Sequence, residues 1–376
     1  MPPVHYRKQG FPPKNIDILR LSILAERAAA SVSRYDGFLH VLPNPVVFMF
    51  SLTTREAIFS TRIEGTRAEI DEVLEFEAEE KDKSINPDYE EVINYRNALI
   101  LSTDKILEEK LPICGRVMRE AHKVLMQGVR GRNKSPGLYR REPVWIGNDI
   151  ILENAKFIPC NWPEIEDAMG QLEEYINSDR IPYADYIKLA IIHAEFECIH
   201  PFLDGNGRLG RLLIPLIMFY YGLITSPCFY ISAYLEQNRD MYYENLLSVS
   251  RDGNWQGWIE FFLKAVEFQG KENFRQARKI WDLYGSLKER VLGIIKSPNG
   301  IRTLDFIFEK PAFTSTQLRE KTNLSETTAK DILKIFQKAG IILKKQNASG
   351  NKPALYIFPE FYQILQETNQ YSGASE

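Results

Sequence analysis

His200, Asp204, Asn206, Arg208 and Arg211 fall within twelve residues of one another, and Gly205 and Gly207 flank the asparagine. Together they offer a proton acceptor, a metal-binding carboxylate, an amide and two guanidiniums. That set suits a polyphosphate. The first N–H groups of a helix have no internal partner and carry partial positive charge, and glycines let a backbone turn sharply and approach a ligand. Arg208 and Arg211 are three apart, so both lean over the same turn. Asp204 suits Mg²⁺, which takes one or two carboxylates alongside phosphate oxygens. His200 suits accepting a proton from an incoming hydroxyl. Each residue alone is common in turns; a merely structural turn has no need of all of them at fixed spacing.

The elements on either side must hold this set in place. Ile187, Ala190, Ile191, Ala194 and Phe196 recur at helical spacing, so Asp185 to Ile199 reads as a helix. Pro201 cannot continue it, having no N–H and a ring that clashes with the preceding turn. Leu209, Leu212, Leu213, Leu216 and Ile217 then begin a second apolar helix. The motif is a helix, a glycine-bearing loop and a helix.

These residues resemble the Fic-domain signature, a histidine, a phenylalanine, an acid, Gly-Asn-Gly-Arg and a final arginine. Every defined position is filled, by His200, Phe202, Asp204, Gly205, Asn206, Gly207, Arg208 and Arg211. The resemblance implies a protein adenylyltransferase (a nucleotidyltransferase) that moves AMP from ATP to a hydroxyl side chain of a target protein, or of itself, releasing pyrophosphate. It implies His200 as general base and Asp204 as the Mg²⁺ ligand. Asn206 and the N–H groups around Gly205 and Gly207 would bind the α- and β-phosphates, assisted by Arg208, while Arg211 meets the γ-phosphate. Relatives that move phosphate depart at the second glycine or last arginine; Gly207 and Arg211 are both present, which favours AMP. Without the resemblance, the residues leave open which phosphate is attacked.

Three further stretches carry the resemblance. Ser60-Thr61-Arg62-Ile63-Glu64-Gly65 reads on its own as a helix end closed by glycine. Beside the signature it is similar to the family's inhibitory motif placed N-terminal to the core, in which Glu64 pairs with Arg211. That pair would occupy the guanidinium the γ-phosphate needs and repel the triphosphate. In some relatives the same glutamate positions a water for AMP removal, so the direction of reaction stays open. Gly137 to Arg140, Val144-Trp145-Ile146-Gly147 and Phe157-Ile158-Pro159 resemble the flap that pairs with a target's extended backbone, and Val144 to Ile151 reads as two short strands about a Gly-Asn-Asp turn. Cys160 stands where a second proline is frequent. Asn238 and Tyr242 resemble adenine and ribose contacts, packing being the alternative. His193, on the same side as His200, is expected to be a satisfied core histidine.

The chain has 376 residues, 44% of them apolar, enough for two or three domains with a sizeable core. A net charge of −3 excludes a polyanion binder on the scale of the whole molecule. Four cysteines far apart, with no Cys-x-x-Cys, argue against zinc, redox and secretion. Met1 to Lys14 is not a signal peptide and reads as a poorly ordered or extended arm. The apolar run from Leu212 to Ile224 is too short for a bilayer. Cytoplasm is the default.

The expected fold is mainly α: a Fic-type helical core with a small β-hairpin flap and a C-terminal winged helix-turn-helix domain. Helices are expected over Ile16 to Phe38 (closing at Gly37), Phe50 to Glu64, and Arg67 to Glu80 behind a Thr66/Glu69 capping box. Further helices are expected over Asp88 to Glu109, Pro112 to Gln127, Glu164 to Asn177 and Tyr234 to Ser250, with a closing helix to about Lys271. Residues 81–87 are a charged linker. The expected divisions are 1–90 for the N-terminal region, 91–275 for the core, 276–295 for a connecting helix, 296–366 for the winged helix and 367–376 for a disordered tail. From Lys296 to Lys352, eleven basic residues face five acidic ones, a balance of +6, with Lys330, Lys334 and Lys338 at fourfold spacing on the third helix. A regulator that binds DNA through this domain and senses nucleotide at the Fic site is the alternative reading. Homo-oligomer formation stays open.

Overall fold

The computed structural model describes residues 2–7, 10–40, 42, 45–79, 86–128, 133–147, 151–180, 182–349 and 353–367, with side chains left aside at 45–48. A short strand β1 (Val4–His5) leads into α1 (Ile18–His40), α2 (Pro45–Ile63), α3 (Ile70–Ala78), α4 (Pro87–Leu107) and α5 (Gly115–Leu125). After β2 (Phe157–Ile158) come α6 (Ile165–Asn177), α7 (Asp185–Ile199) and α8 (Asn206–Tyr220). Then follow α9 (Ser232–Gln237), α10 (Arg239–Asp252) and α11 (Trp255–Ile294). No helix among the described residues is long and apolar enough to cross a membrane.

The hairpin of α7 and α8 is the centre of the core, and its sequence explains why. Thirteen of the fifteen residues of α7 are buried, so its lack of a polar stripe reflects neighbours on every side. The longest helix, α11, packs along α1 and reaches α7 through Trp258, whose indole N–H donates to Ala190 O at 2.7 Å. Across the other side of α8, α2 and α4 close the layer.

The C-terminal segment is built from α12 (Pro298–Glu309), β3 (Ala312–Thr314), α13 (Ser315–Thr322), α14 (Glu326–Lys338), β4 (Leu343–Gln346) and β5 (Leu355–Ile357). Its strands form an antiparallel sheet in the order β3-β5-β4. Thr314 with Gln317 caps α13 in a reciprocal box, and Ser325 caps α14. Phe306, Phe313, Phe336 and Phe358 are buried in it. The last helix, α15 (Pro359–Gln366), turns back onto α11, α2 and α3.

Several sequence expectations need correction. The N-terminal arm is extended but packed: β1 runs parallel to β2, and Tyr6 donates from its hydroxyl to Glu195 Oε1 at 2.6 Å. The flap is not the expected hairpin over Val144 to Ile151. Ile146 bridges to Phe157, Leu152–Asn154 form a turn of 3₁₀ helix, and Asn148 to Ile150 lie outside the described residues. The helix expected to close at Gly37 continues to His40, since an isolated glycine only weakens a helix. The capping box of α3 is Glu69 with Glu72 rather than Thr66 with Glu69; Thr66 Oγ1 is buried without a partner. The helix expected over Tyr234 to Ser250 is broken at Asn238, where φ is −111° and ψ is 34°. The helix expected to stop near Lys271 runs on to Ile294, because its apolar stripe continues through Ala277, Ile280, Leu283, Leu287 and Val291. The charged linker at 81–85 and the tail from 368 lie outside the described residues.

Candidate active site

The site is made where α7 ends and α8 begins. His200 is the C-cap of α7 in the left-handed region, with φ at 52°. For a residue with a Cβ that conformation costs about 1–2 kcal/mol, so the surroundings must impose it. Arg140 does so. Its backbone N–H donates to Pro201 O at 2.9 Å and its Nε to His200 O at 2.9 Å, while Nη2 donates to Cys160 O. The buried guanidinium thereby satisfies carbonyls that the helix end leaves open.

His122 on α5 fixes the other side of the loop. Its ring stacks on Phe202 at 3.8 Å between centroids; Gly137 N donates to Nδ1 at 2.9 Å, so Nε2 carries the proton and donates to Asp204 O at 2.9 Å. Asn206 closes the loop from within: Phe202 N donates to its Oδ1 and its Nδ2 donates to Phe202 O, both at 2.9 Å. The side chain that the resemblance assigns to phosphate also holds the turn. Gly205 is the N-cap of α8 with φ at 78°, and a Cβ there would lie 2.6 Å from Met126 Sδ.

Burial pushes the His200 imidazole down to about 4, so the ring is neutral near pH 7. Its Nδ1 lies 3.4 Å from Glu197 O, a long contact that assigns the proton to Nδ1 and leaves Nε2 able to accept one. Asp204 is 44% exposed; its Oδ1 accepts from Gly205 N at 2.6 Å and from Arg208 Nη2 at 3.3 Å. Among the described residues Oδ2 has no hydrogen-bond partner. One carboxylate oxygen open to solvent beside a helix N-terminus fits Mg²⁺ held jointly with phosphate oxygens; among the described residues no cluster of three or more His, Cys, Asp or Glu forms a self-sufficient metal site.

The arginines take different partners. Arg208 Nη1 pairs with Glu91 on α4 at 2.8 Å, and Nη2 touches Met126 Sδ at 3.5 Å. Arg211, only 1% exposed, is engaged by the end of α2. Its Nε donates to Ser60 Oγ at 2.9 Å, and its Nη2 donates to Ser60 O at 2.8 Å and Glu64 Oε1 at 2.6 Å. Glu64 keeps 35% of its side chain exposed. Burial pushes its carboxyl up, but the charge and hydrogen bond of Arg211, with Arg208 and His200 behind, bring it below the usual range. A Cβ on Gly207 would lie 2.3 Å from Glu64 Oε1. The carboxylate therefore sits over the first turn of α8, where the resemblance places a phosphate.

A second carboxylate was not singled out in the sequence. Glu197, one turn before His200, has a buried Oε1 with no hydrogen-bond partner, and burial lifts its carboxyl to about 7 against the pull of Arg211. Only its position on a helix already rich in functional neighbours could have flagged it. His122 and Arg140 carried no local signal either, since their role is to hold a loop 60 to 80 residues away.

The nucleotide contacts suggested by resemblance divide. Tyr242 is buried; its hydroxyl bonds His193 Nε2 at 2.9 Å and its ring packs 6.1 Å from Trp258. His193 completes its pairing at Gly210 O, 3.2 Å away, the satisfied core histidine expected. Asn238 Nδ2 donates to Tyr234 O. Tyr243, 41% exposed, is the more open ring. In the flap segment Val144-Trp145-Ile146-Gly147, Ile146 N donates to Phe157 O at 2.8 Å, and Gly147 lies against Ala155 and Lys156. A cavity of about 840 Å³ lies elsewhere, between arm residues such as Tyr6 and Pro12 and the buried Glu195, Cys198 and Trp255.

Comparison with known proteins gives the same outline. Residues 23–104 match the Fic/DOC family N-terminal profile and residues 112–218 that of the Fic/DOC family. A Fido domain-containing protein of Dictyostelium discoideum is 39% identical over 100 residues, 25% of this chain and 62% of the relative. A probable protein adenylyltransferase of Aquifex aeolicus is 29% identical over 183 residues, 47% of this chain and 51% of the relative. The chain thus spans about half to three-fifths of these curated relatives. A Fic family protein from Desulfovibrio desulfuricans shares the fold over 92% of this chain and 98% of its own, with a TM-score of 0.58 at 20% identity. Fic-1 of C. elegans shares it over 69% and 74%, with a TM-score of 0.53 at 21% identity. With the signature loop at its centre and both profiles in sequence order, the chain is a Fic-domain protein.

Proposed function

We propose that the chain is a protein adenylyltransferase held in check by Glu64. One observation carries the reading: a carboxylate rests on the first turn of α8, over Gly207 and bonded to Arg211. The turn holds an anion, and a triphosphate must displace it. The probable adenylyltransferase among the relatives supports the choice of AMP, as does the presence of both Gly207 and Arg211.

In this reading a target hydroxyl attacks the α-phosphorus of ATP. Its oxygen bonds to phosphorus, the bond from that phosphorus to the bridging oxygen of the β-phosphate breaks, and pyrophosphate leaves with the electron pair. The hydroxyl proton passes to Nε2 of His200, which is neutral and held in place through Arg140. The N–H groups of α8 and Arg211 take the charge of the phosphates, and Asn206 keeps the loop rigid while they do. Asp204 would hold Mg²⁺, which neutralises charge on the leaving pyrophosphate when bound. The open side of the flap at Val144 to Gly147 accepts the target's backbone.

We further read residues 298–357 as a winged helix-turn-helix module. Support comes from the order of its elements, from a three-residue turn through Asn323 in the left-handed region, and from β4 and β5 as the wing. Transfer is tested with α-labelled ATP. Glu64→Gly should label protein faster than the wild type, and Glu64→Gly with His200→Ala should not label at all. Undiminished labelling by the double variant would remove His200 as base.

A further inference from the structure

The helix α3 begins six residues after Glu64, and residues 69–79 carry six carboxylates with no basic residue among them. This acidic helix does not face solvent alone. Glu75, with both oxygens, accepts from Lys345 Nζ on β4 at 2.5 and 2.6 Å. Glu79 Oε1 accepts from Gln346 Nε2 at 2.6 Å, and Ala78 O accepts from Gln317 Nε2 at 3.3 Å. The wing strand β4 against it belongs to a segment, Lys296 to Lys352, in which eleven basic residues face five acidic ones. On α14 the lysines 330, 334 and 338 are exposed, and Lys334 and Lys338 have no carboxylate partner among the described residues; Lys330 pairs with Glu326. All four residues of β4 are exposed, Lys344 among them.

We propose that α14 and the β4 wing bind double-stranded DNA, and that α3 is an internal competitor for the wing, so that DNA and the engagement of Arg211 by Glu64 oppose each other. The linkage rests on the function proposed above; the binding surface does not. A helix carrying lysines every fourth residue, ending a helix-turn-helix and followed by a basic wing, fits a major groove flanked by phosphates. Lys345 cannot serve a phosphate while both oxygens of Glu75 hold it, and a phosphate chain along β4 would repel Glu75 and Glu79. Displacing α3 then reaches the catalytic loop by a short covalent route, through residues 65–69 to Glu64. A second grip runs parallel: Arg55 of α2 donates to Glu367 O at the end of α15, and α12 packs on α2. The inhibitory helix is thus held between the catalytic core and the module that binds DNA. By reciprocity, whatever factor DNA applies to ATP affinity, ATP applies to DNA affinity.

The test uses the full chain, a mixed-sequence 30-base-pair duplex and fluorescence anisotropy across a salt series, with ATP affinity measured alongside. Wild type should bind the duplex with a steep salt dependence. Lys334→Ala with Lys338→Ala should weaken binding and lower the log–log salt slope by about 1.8. Glu75→Gln with Glu79→Gln should tighten it by about two- to fivefold, the scale of a half-exposed ion pair, and the duplex should raise wild-type ATP affinity. No binding to the duplex by wild type or by Glu75→Gln with Glu79→Gln at low salt overturns the DNA assignment in favour of a protein partner. Equal binding with an unchanged slope in the lysine variant overturns the surface, and tighter binding to a single strand or an RNA duplex overturns the choice of ligand. Unchanged DNA affinity in the glutamine variant overturns α3 as competitor. If DNA binds but leaves ATP affinity unchanged while Glu64→Gly raises it, the linkage fails and the proposed function stands. If Glu64→Gly changes neither ATP affinity nor labelling, it is the proposed function that fails.

Discussion

Replacing Glu64 with glycine removes the carboxylate that stands over Gly207 and takes one of two acceptors from Arg211 Nη2, which keeps Ser60 O. A charge-assisted hydrogen bond is worth about 1.5–3 kcal/mol. The Arg211 end is buried, but Glu64 is 35% exposed, so screening places the pair in the lower half of that range. Since about 1.4 kcal/mol is tenfold, Mg-ATP should bind roughly 10- to 40-fold more tightly. The rate of AMP transfer should rise at least as much, because the γ-phosphate then places the α-phosphate for in-line attack. Glu64→Gln separates the causes: it keeps the bulk over Gly207 and loses the charge, so it should fall between wild type and glycine. The same change leaves the Arg211 guanidinium with Ser60 alone, and without nucleotide the glycine variant should melt a few degrees lower. Saturating Mg-ATP should recover that loss by mass action. Titration calorimetry and α-label incorporation measure both quantities. A change below twofold in both would refute the idea that this carboxylate competes with phosphate.

Three further outcomes follow from the same geometry. With burial holding His200 near 4, transfer by Glu64→Gly should be flat from about pH 5.5 to 7.5, and a rate limb inflecting at 6.5 would contradict the neutral, buried base. Stability should fall as pH rises from about 7 to 8.5. In that window unfolded histidines, with an ordinary pKa of about 6.5, have lost most of their protons, while Glu195, Glu197 and Glu56, raised by burial to about 8, 7 and 7, give up protons that the unfolded chain has already released; Glu195→Gln should flatten the upper part of that decline in thermal melts. Tyr242→Phe breaks the bond to His193 and should lower stability by about 1 kcal/mol while leaving ATP affinity unchanged; a tenfold loss of affinity would restore it as a nucleotide contact.

The sequence was most legible where local rules and tertiary needs agree. Asp185 to Ile199 was bounded correctly because Pro201 forbids continuation, and the caps at Thr314 and Ser325 are local chemistry. It was least legible where partners come from afar. Nothing within ten residues of Val4 announces that it will pair with Phe157, and the bridge from Ile146 depends on a register set by the whole flap. Arg140 and His122 are ordinary residues whose task appears only when the loop they support is folded beside them. Tyr242 and Asn206 have a structural task that residue type did not announce, a hydrogen bond to His193 for one and closure of the loop at Phe202 for the other.

The most direct measurement compares two labels on one nucleotide. Full-length Glu64→Gly is incubated with Mg²⁺ and ATP labelled at either the α- or the γ-phosphate, with the chain itself or a lysate as acceptor, and covalent label is read after denaturation. The account predicts label from the α-position only, lost when His200 becomes alanine. Label from the γ-position, or none under conditions where the nucleotide is bound, would contradict it.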